Sequence, residues 1–226
     1  MSGIFDTLKL PDVVTLLNAL CGFGAIVATQ NGMLQLSCIL ILIAAIADGL
    51  DGTLARYAGG SEIGGALDSL SDVISFGVAP AIIINGYIGN KYFTLIAVCF
   101  YLLCGILRLA RFSTSKYDNN FFKGLPITAG GITVAAVLLV SKGQLQPITM
   151  EVASIILGFL MVSSIPYMKV RGKEKTLPLT IIFVIPILSY FLQKDYISAL
   201  ASPLLLIMML YIISPIFIKN KENIHE

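Results

Sequence analysis

Eight apolar runs follow one another along the 226 residues with only short interruptions, at roughly 12–29, 33–57, 62–88, 92–113, 126–141, 147–168, 176–193 and 196–218. Each approaches the ~20 residues that an α-helix needs to cross a bilayer, the fifth being marginal. Backbone groups in hydrocarbon must be satisfied within the segment, so runs of this kind can only be helices here. Composition agrees: charged residues are 12% of the chain and mean hydropathy is +0.89, against about 25% charged residues in a soluble domain. The expectation is an all-α polytopic membrane protein of about eight transmembrane helices. Pro80, Pro166, Pro186, Pro203 and Pro215 fall inside or near the ends of spans, which membrane helices tolerate. No internal repeat or low-complexity segment interrupts the pattern. A single domain, 1–226, is expected, with the functional helices within 12–130 and 131–218 mainly scaffold.

Orientation follows from the cations, which gather on the cytoplasmic side of membrane proteins. Lys9, Arg56, Arg108, Arg111, Lys116, Lys123, Lys169, Arg171, Lys173, Lys175, Lys219 and Lys221 fall on one side of the eight spans. Only Lys91, Lys142 and Lys194 fall on the other. Both termini are therefore expected in the cytoplasm. The segment 1–11 lacks the basic start of a signal peptide, and Ile4, Phe5, Leu8 and Leu10 suit a short amphipathic helix on the membrane surface. The basic loop Lys169–Lys175 is accounted for by topology and attraction to anionic headgroups.

Against this background the stretch from Asp48 to Asp72 stands out. Asp48, Asp51, Asp68 and Asp72 place four carboxylates within 25 residues. Spacings of three and four put each pair on one helix face. Intramembrane acids are costly and mark functional sites by default. One nearby arginine cannot neutralise four of them, so divalent metal is the simplest source of the missing charge. Spans two and three should form an antiparallel hairpin, with Gly59-Gly60 in the link and Ser61 placed to cap the next helix. The two pairs then meet around a common centre at the cytoplasmic face. Gly52, Gly64, Gly65, Ala55 and Ala66 remove bulk where backbone or ligand must approach. Oxygen ligands without Cys or His favour Mg²⁺ or Mn²⁺, with Ca²⁺ a further candidate, and four carboxylates could hold two ions at the ~3.5–4 Å separation used in phosphoryl chemistry.

Other nucleophilic chemistries lack their parts. The single histidine, His225, is the penultimate residue, so no Ser-His-Asp or Cys-His arrangement can form. Cys21, Cys38, Cys99 and Cys104 all lie in apolar runs without the paired spacing of a zinc site. A divalent-cation transporter is the contrasting class. The acids gather at one membrane face, however, and no inverted repeat is visible.

The run D-x-x-D-G-x-x-A-R, seven residues, then G-x-x-x-D-x-x-x-D resembles the signature of the CDP-alcohol phosphotransferases at every fixed position: Asp48, Asp51, Gly52, Ala55, Arg56, Gly64, Asp68 and Asp72. The resemblance implies transfer of a phosphatidyl-type group from a CDP-linked lipid to an alcohol, with release of CMP. It implies that Asp48, Asp51 and Asp68 ligate two divalent ions. Asp72 would act as general base on the acceptor hydroxyl, with a metal contact of its own. Gly52, Ala55, Arg56 and Gly64 would lie by the CDP moiety, with Ser61 a further candidate. A carboxylate base and a phosphate-binding arginine are also what the residues by themselves support.

The phrases L-R-L-A-R-F (107–112), F-x-G-L-P (122–126) and T-L-L-N-A-L-C-G-F (15–23) resemble the phosphatidylserine synthase branch. On that resemblance Thr15 and Asn18 join the CDP-lipid side. Arg108 and Arg111, three apart on one face, with Lys123 opening the next span, form an anion site for the carboxylate of serine. The runner-up is the same reaction with a phosphorylated acceptor, glycerol 3-phosphate or inositol phosphate. The lipid is CDP-diacylglycerol or CDP-archaeol. Homodimers are usual in the family, and no nucleic-acid partner is expected.

Overall fold

The structure is a computed structural model that describes residues 3–89, 91–114, 121–168, 173–192 and 194–222. A single turn, α1 (Ile4–Thr7), precedes four long helices: α2 (Leu10–Gln30), α3 (Leu34–Ala58), α4 (Gly64–Ile88) and α5 (Tyr92–Thr114). A three-residue strand, β1 (Phe121–Lys123), leads into α6 (Ile127–Ser141) and α7 (Pro147–Val162). Strand β2 (Pro166–Met168), α8 (Lys173–Leu192) and α9 (Ile197–Glu222) complete the chain. Among the described residues, five helices are long and apolar enough to cross a membrane: α2, α3, α4, α5 and Ile197–Ile216 of α9. Ile127–Ser141, Pro147–Val162 and Ile181–Leu192 are shorter apolar helices. Lys116, Lys169, Arg171 and His225 lie outside the described residues.

The fifth apolar run, marginal by length, is the centre of the bundle. Of α6, Ile127, Ala129–Ala136, Leu138 and Leu139 are all buried, as expected of a helix that is apolar all round. Its small residues permit close approach: a Cβ on Gly130 would lie 3.1 Å from the Tyr101 hydroxyl, and one on Gly131 3.0 Å from the Phe76 ring. Helices α2 and α3 pack as a hairpin, and α4 returns against α2. There a Cβ on Gly22 would stand 2.6 Å from Ser75 Cα.

Two departures from a purely helical reading shape the site. The sixth run was expected to continue to residue 168, but α7 stops at Val162, Ser163 is extended, and β2 pairs antiparallel with β1 in the register Phe121–Met168, Phe122–Tyr167, Lys123–Pro166. The lone pairs of the last α7 carbonyls find donors off the helix, and Pro166 cannot donate to a continued one. Within α4, residues Val73–Val78 form a π-helical segment immediately after Asp72. Tyr101 donates to the Phe76 carbonyl at 2.8 Å, and Ser75 to the Asn18 carbonyl at 2.8 Å. Such segments recur beside functional sites because they turn a helix face without breaking the helix.

Candidate active site

The last turns of α3 carry Asp48 and Asp51, and the opening turns of α4 carry Asp68 and Asp72. The antiparallel hairpin brings them together. Carboxylate oxygens of Asp48, Asp68 and Asp72 all lie within 4.8 Å of one another. Among the described residues no salt bridge is made to them, so three acids within two apolar helices stand without a directly paired cation. That hard-oxygen set fits a divalent ion such as Mg²⁺ or Mn²⁺. Asp51 stands slightly apart, accepting a 2.5 Å hydrogen bond from Thr15 Oγ1.

Helix α2 holds the acids from behind. Its buried face reads Pro11, Asp12, Thr15, Asn18, Gly22, Ala25 and Ala28, polar at one end and small at the other. Thr15 reaches Asp51, and Asn18 Nδ2 donates to Asp72 Oδ1 at 3.2 Å. Thr15 and Asn18, expected on the CDP-lipid side, therefore also orient one acid of each pair, and Asn18 is fully buried. From α6, Thr128 Oγ1 lies 3.4 Å from Asp48 Oδ2. Thr128 escaped the sequence reading because nothing in an apolar run signals which hydroxyl will face an acid 80 positions earlier.

Two cavities meet at the acids, sharing Asp48 and Asp68. The smaller, about 260 Å³, is bounded by Asp51, Gly52, Ala55, Gly60, Ser61, Gly64 and Gly65 together with Pro11, Asp12 and Thr15. A Cβ on Gly52 or Gly65 would meet nothing within 4 Å, so these glycines leave space rather than merely permitting a turn. Its far wall, the 59–63 link, is tied to α2: Lys9 Nζ donates to the Gly60 carbonyl at 2.7 Å, and Ser61 Oγ to Asp12 Oδ1 at 2.9 Å. The other Asp12 oxygen accepts from the Lys9 backbone N–H at 2.7 Å. Ser61 thus does not cap α4, which begins at Gly64 with Ile63 preceding it; its hydroxyl is committed to Asp12. Arg56 is exposed, outside that wall, and donates to Thr53 Oγ1 at 3.1 Å.

The larger cavity, about 440 Å³, holds Asp48, Asp68, Asp72, Ser69, Thr128 and Arg108 at its polar end. Arg108 is 6% exposed, and its guanidinium lies 5.3 Å from the ring centres of both Phe112 and Phe122. It makes no hydrogen bond or salt bridge to any described residue. A buried guanidinium packed on aromatic faces, with no protein acceptor among the described residues, keeps its hydrogen-bond donors for a ligand.

The two arginines expected to share an anion site have different partners. Arg111 donates to four backbone carbonyls: Val162 at 3.1 Å, Met161 at 3.2 Å, Ser163 at 3.1 Å and Lys123 at 2.5 Å. It ties the end of α7 to β1 and does not line the cavity. The exposed side chain of Lys123, in β1, does not line it either. The same junction explains the F-x-G-L-P phrase. Phe122 covers Arg108, Gly124 has φ +82°, and a Cβ there would lie 2.8 Å from Arg111 Nη2. Pro126 then precedes the first residue of α6. The remaining walls come from β2, α8 and α9, through Met168, Phe183, Met208 and Tyr211, residues the sequence reading left as scaffold.

With this geometry in place, comparison with known proteins is specific. The family model for CDP-alcohol phosphatidyltransferase matches residues 8–164. An archaetidylserine synthase of Methanothermobacter thermautotrophicus is 39% identical over 173 residues, covering 75% of this chain and 73% of the relative. A CDP-diacylglycerol–serine O-phosphatidyltransferase of Methanocaldococcus jannaschii is 40% identical over 177 residues, 76% of this chain and 80% of the relative. One from Helicobacter pylori is 32% identical over 188 residues, 77% and 79% of the respective chains.

Proposed function

Because this chain belongs to the CDP-alcohol phosphatidyltransferase family, we propose that it transfers the phosphatidyl-type group of a CDP-linked lipid, CDP-diacylglycerol or CDP-archaeol, to the hydroxyl of L-serine, releasing CMP. The observation that carries this reading is the clustering of Asp48, Asp68 and Asp72 where two cavities of different character meet. The glycine-lined cavity takes the CDP moiety, whose ribose and phosphates need space against backbone. The cavity holding Arg108 takes the acceptor.

Asp48, Asp51, Asp68 and Asp72 would hold two divalent ions, Mg²⁺ or Mn²⁺, which would supply Lewis-acid stabilisation of the pyrophosphate charge. The remaining work belongs to the chain. Thr15 and Asn18 fix the directions of Asp51 and Asp72. Arg108 holds the serine carboxylate in charge-assisted hydrogen bonds, turning the hydroxyl toward the acids. Asp72 takes the hydroxyl proton as the new P–O bond forms and the bond to CMP breaks. Burial of the site by α6 and the two phenylalanines excludes water that would otherwise hydrolyse the lipid.

The eight apolar segments cross the membrane with both termini in the cytoplasm, so the acids sit at the cytoplasmic face. A homodimer, the usual state in the family, is the assembly proposed for this protein. The test uses purified protein with CDP-lipid, Mg²⁺ or Mn²⁺, and labelled serine, glycerol 3-phosphate or inositol phosphate in parallel. Serine is expected to yield lipid product and CMP in equal amounts. Product only from a phosphorylated acceptor would overturn the choice of serine while keeping the reaction class.

A further inference from the structure

Tyr211 belongs to α9, the last helix, yet lines the larger cavity with Arg108 and Asp72. Its ring is held in place: it packs in a tilted arrangement against Tyr167, with centroids 5.5 Å apart and planes at 41°. Tyr167 is fully buried in β2, and its own hydroxyl points back to the Ile212 carbonyl at 3.4 Å. Three neutral hydroxyls line this cavity, and each has its single proton committed. Ser69 donates to the Gly65 carbonyl at 3.1 Å, Thr128 lies 3.4 Å from Asp48, and Tyr211 donates to the Met168 carbonyl at 3.3 Å. Each oxygen is thereby presented as an acceptor. Ser69 and Thr128 belong to the acidic side. Tyr211 shares the cavity with Arg108.

Serine has three polar groups on two carbons. The proposed reaction assigns its hydroxyl to Asp72 and its carboxylate to Arg108, and an ammonium is left over. Burying that charge without a partner would be costly. We propose that Tyr211 is a specificity-determining residue whose hydroxyl oxygen accepts a hydrogen bond from the α-ammonium of the acceptor. This rests on serine being the acceptor. It makes the site a reader of the amino-acid zwitterion, and it gives α9 a part in substrate choice.

The experiment compares serine with 3-hydroxypropionate, which keeps the hydroxyl and carboxylate but lacks the amino group. Full-length wild-type protein and Tyr211→Phe are assayed with CDP-lipid and Mg²⁺ or Mn²⁺. Wild type is expected to prefer serine by about tenfold or more in kcat/KM, the scale of one hydrogen bond to a charged group. Tyr211→Phe keeps the ring and its packing against Tyr167. It should raise the KM for serine about tenfold, leave that for 3-hydroxypropionate and for CDP-lipid in place, and so remove the preference. Equal use of the two acceptors by wild type overturns the proposal without reference to any variant. So does a Tyr211→Phe effect that falls on both acceptors alike, which would mark a wall residue only. Serine inert with wild type, while another acceptor is used, would sink the choice of serine itself. Serine turned over with Tyr211→Phe unaffected would sink only the role of Tyr211.

Discussion

The two cavities share Asp48 and Asp68 and are built by opposite means. The smaller is a product of one short stretch: its glycines, Ala55 and acids come from the α3–α4 hairpin, completed by one end of α2. Its walls are largely backbone, and its shape is set by side chains that are missing. The larger is assembled from α3, α4, α5, both strands, α6, α8 and α9. Its walls are side chains, and it holds one buried cation, Arg108. On the proposed reading the contrast teaches how such an enzyme can keep one donor and change acceptors: the donor side would be encoded locally, whereas the acceptor side would depend on how distant elements dock.

The shared wall should give the largest effect. Asp72→Asn is expected to lower kcat by about 10²–10⁴-fold, the range of general-base catalysis, with CDP-lipid binding retained in an equilibrium assay. Turnover within tenfold of wild type would take the base role from Asp72. Chelation of divalent ions should likewise abolish CMP release, and added Mg²⁺ or Mn²⁺ should restore it.

Next comes the acceptor side alone. Arg108→Gln removes the one buried cation of the larger cavity and should raise the KM for serine about 10–150-fold, the equivalent of about 1.5–3 kcal/mol. The KM for CDP-lipid should move little. Equal shifts in both constants would mean that the cavities are not separate in function.

Arg111→Gln sharpens the same comparison from the other direction. It strips donors from the carbonyls of Met161, Val162, Ser163 and Lys123. About 1–3 kcal/mol of stability should be lost, read as a lower midpoint of thermal unfolding in detergent, with a smaller change in serine KM than Arg108→Gln produces. A serine KM effect as large as that of Arg108→Gln, without loss of stability, would return Arg111 to the anion site.

The smallest effect is expected on the donor side. Thr15→Val keeps the shape of α2 but removes the hydrogen bond to Asp51. About 1 kcal/mol should appear as a several-fold loss in kcat/KM for CDP-lipid, with serine discrimination intact.

Much of this was legible before any coordinates. The acidic hairpin could be placed because helical spacing puts Asp48 with Asp51 and Asp68 with Asp72 on one face, and a short link forces the two faces together. Arg108 could be named because a cation near those acids is conspicuous in so apolar a chain. Arg111 could not be told from it. Both lie at the same end of α5 at a spacing that shares a face, and their fates diverge only because the end of α7 presents bare carbonyls to one of them. Ser61 reads as a cap in the sequence, yet its hydroxyl goes to Asp12, 49 positions away. The π-helical segment after Asp72 left no signal either, since its stabilising donors, Tyr101 and Ser75, are ordinary residues of apolar runs.

The sequence by itself determined the solvent of this protein, its helical class and the acidic centre. Those properties follow from composition and from spacings shorter than two turns, where helix geometry converts order in the chain into order in space; the class of reaction came from the resemblance of the acidic stretch to a family signature. Only the tertiary structure decided which hydroxyls and which arginine face the acids, where α7 gives way to a strand, and that α9 lines the larger cavity with Tyr211. Such choices depend on the rotation and docking of helices against one another. An apolar helix buried all round, as α6 is, carries no periodicity from which that rotation can be read.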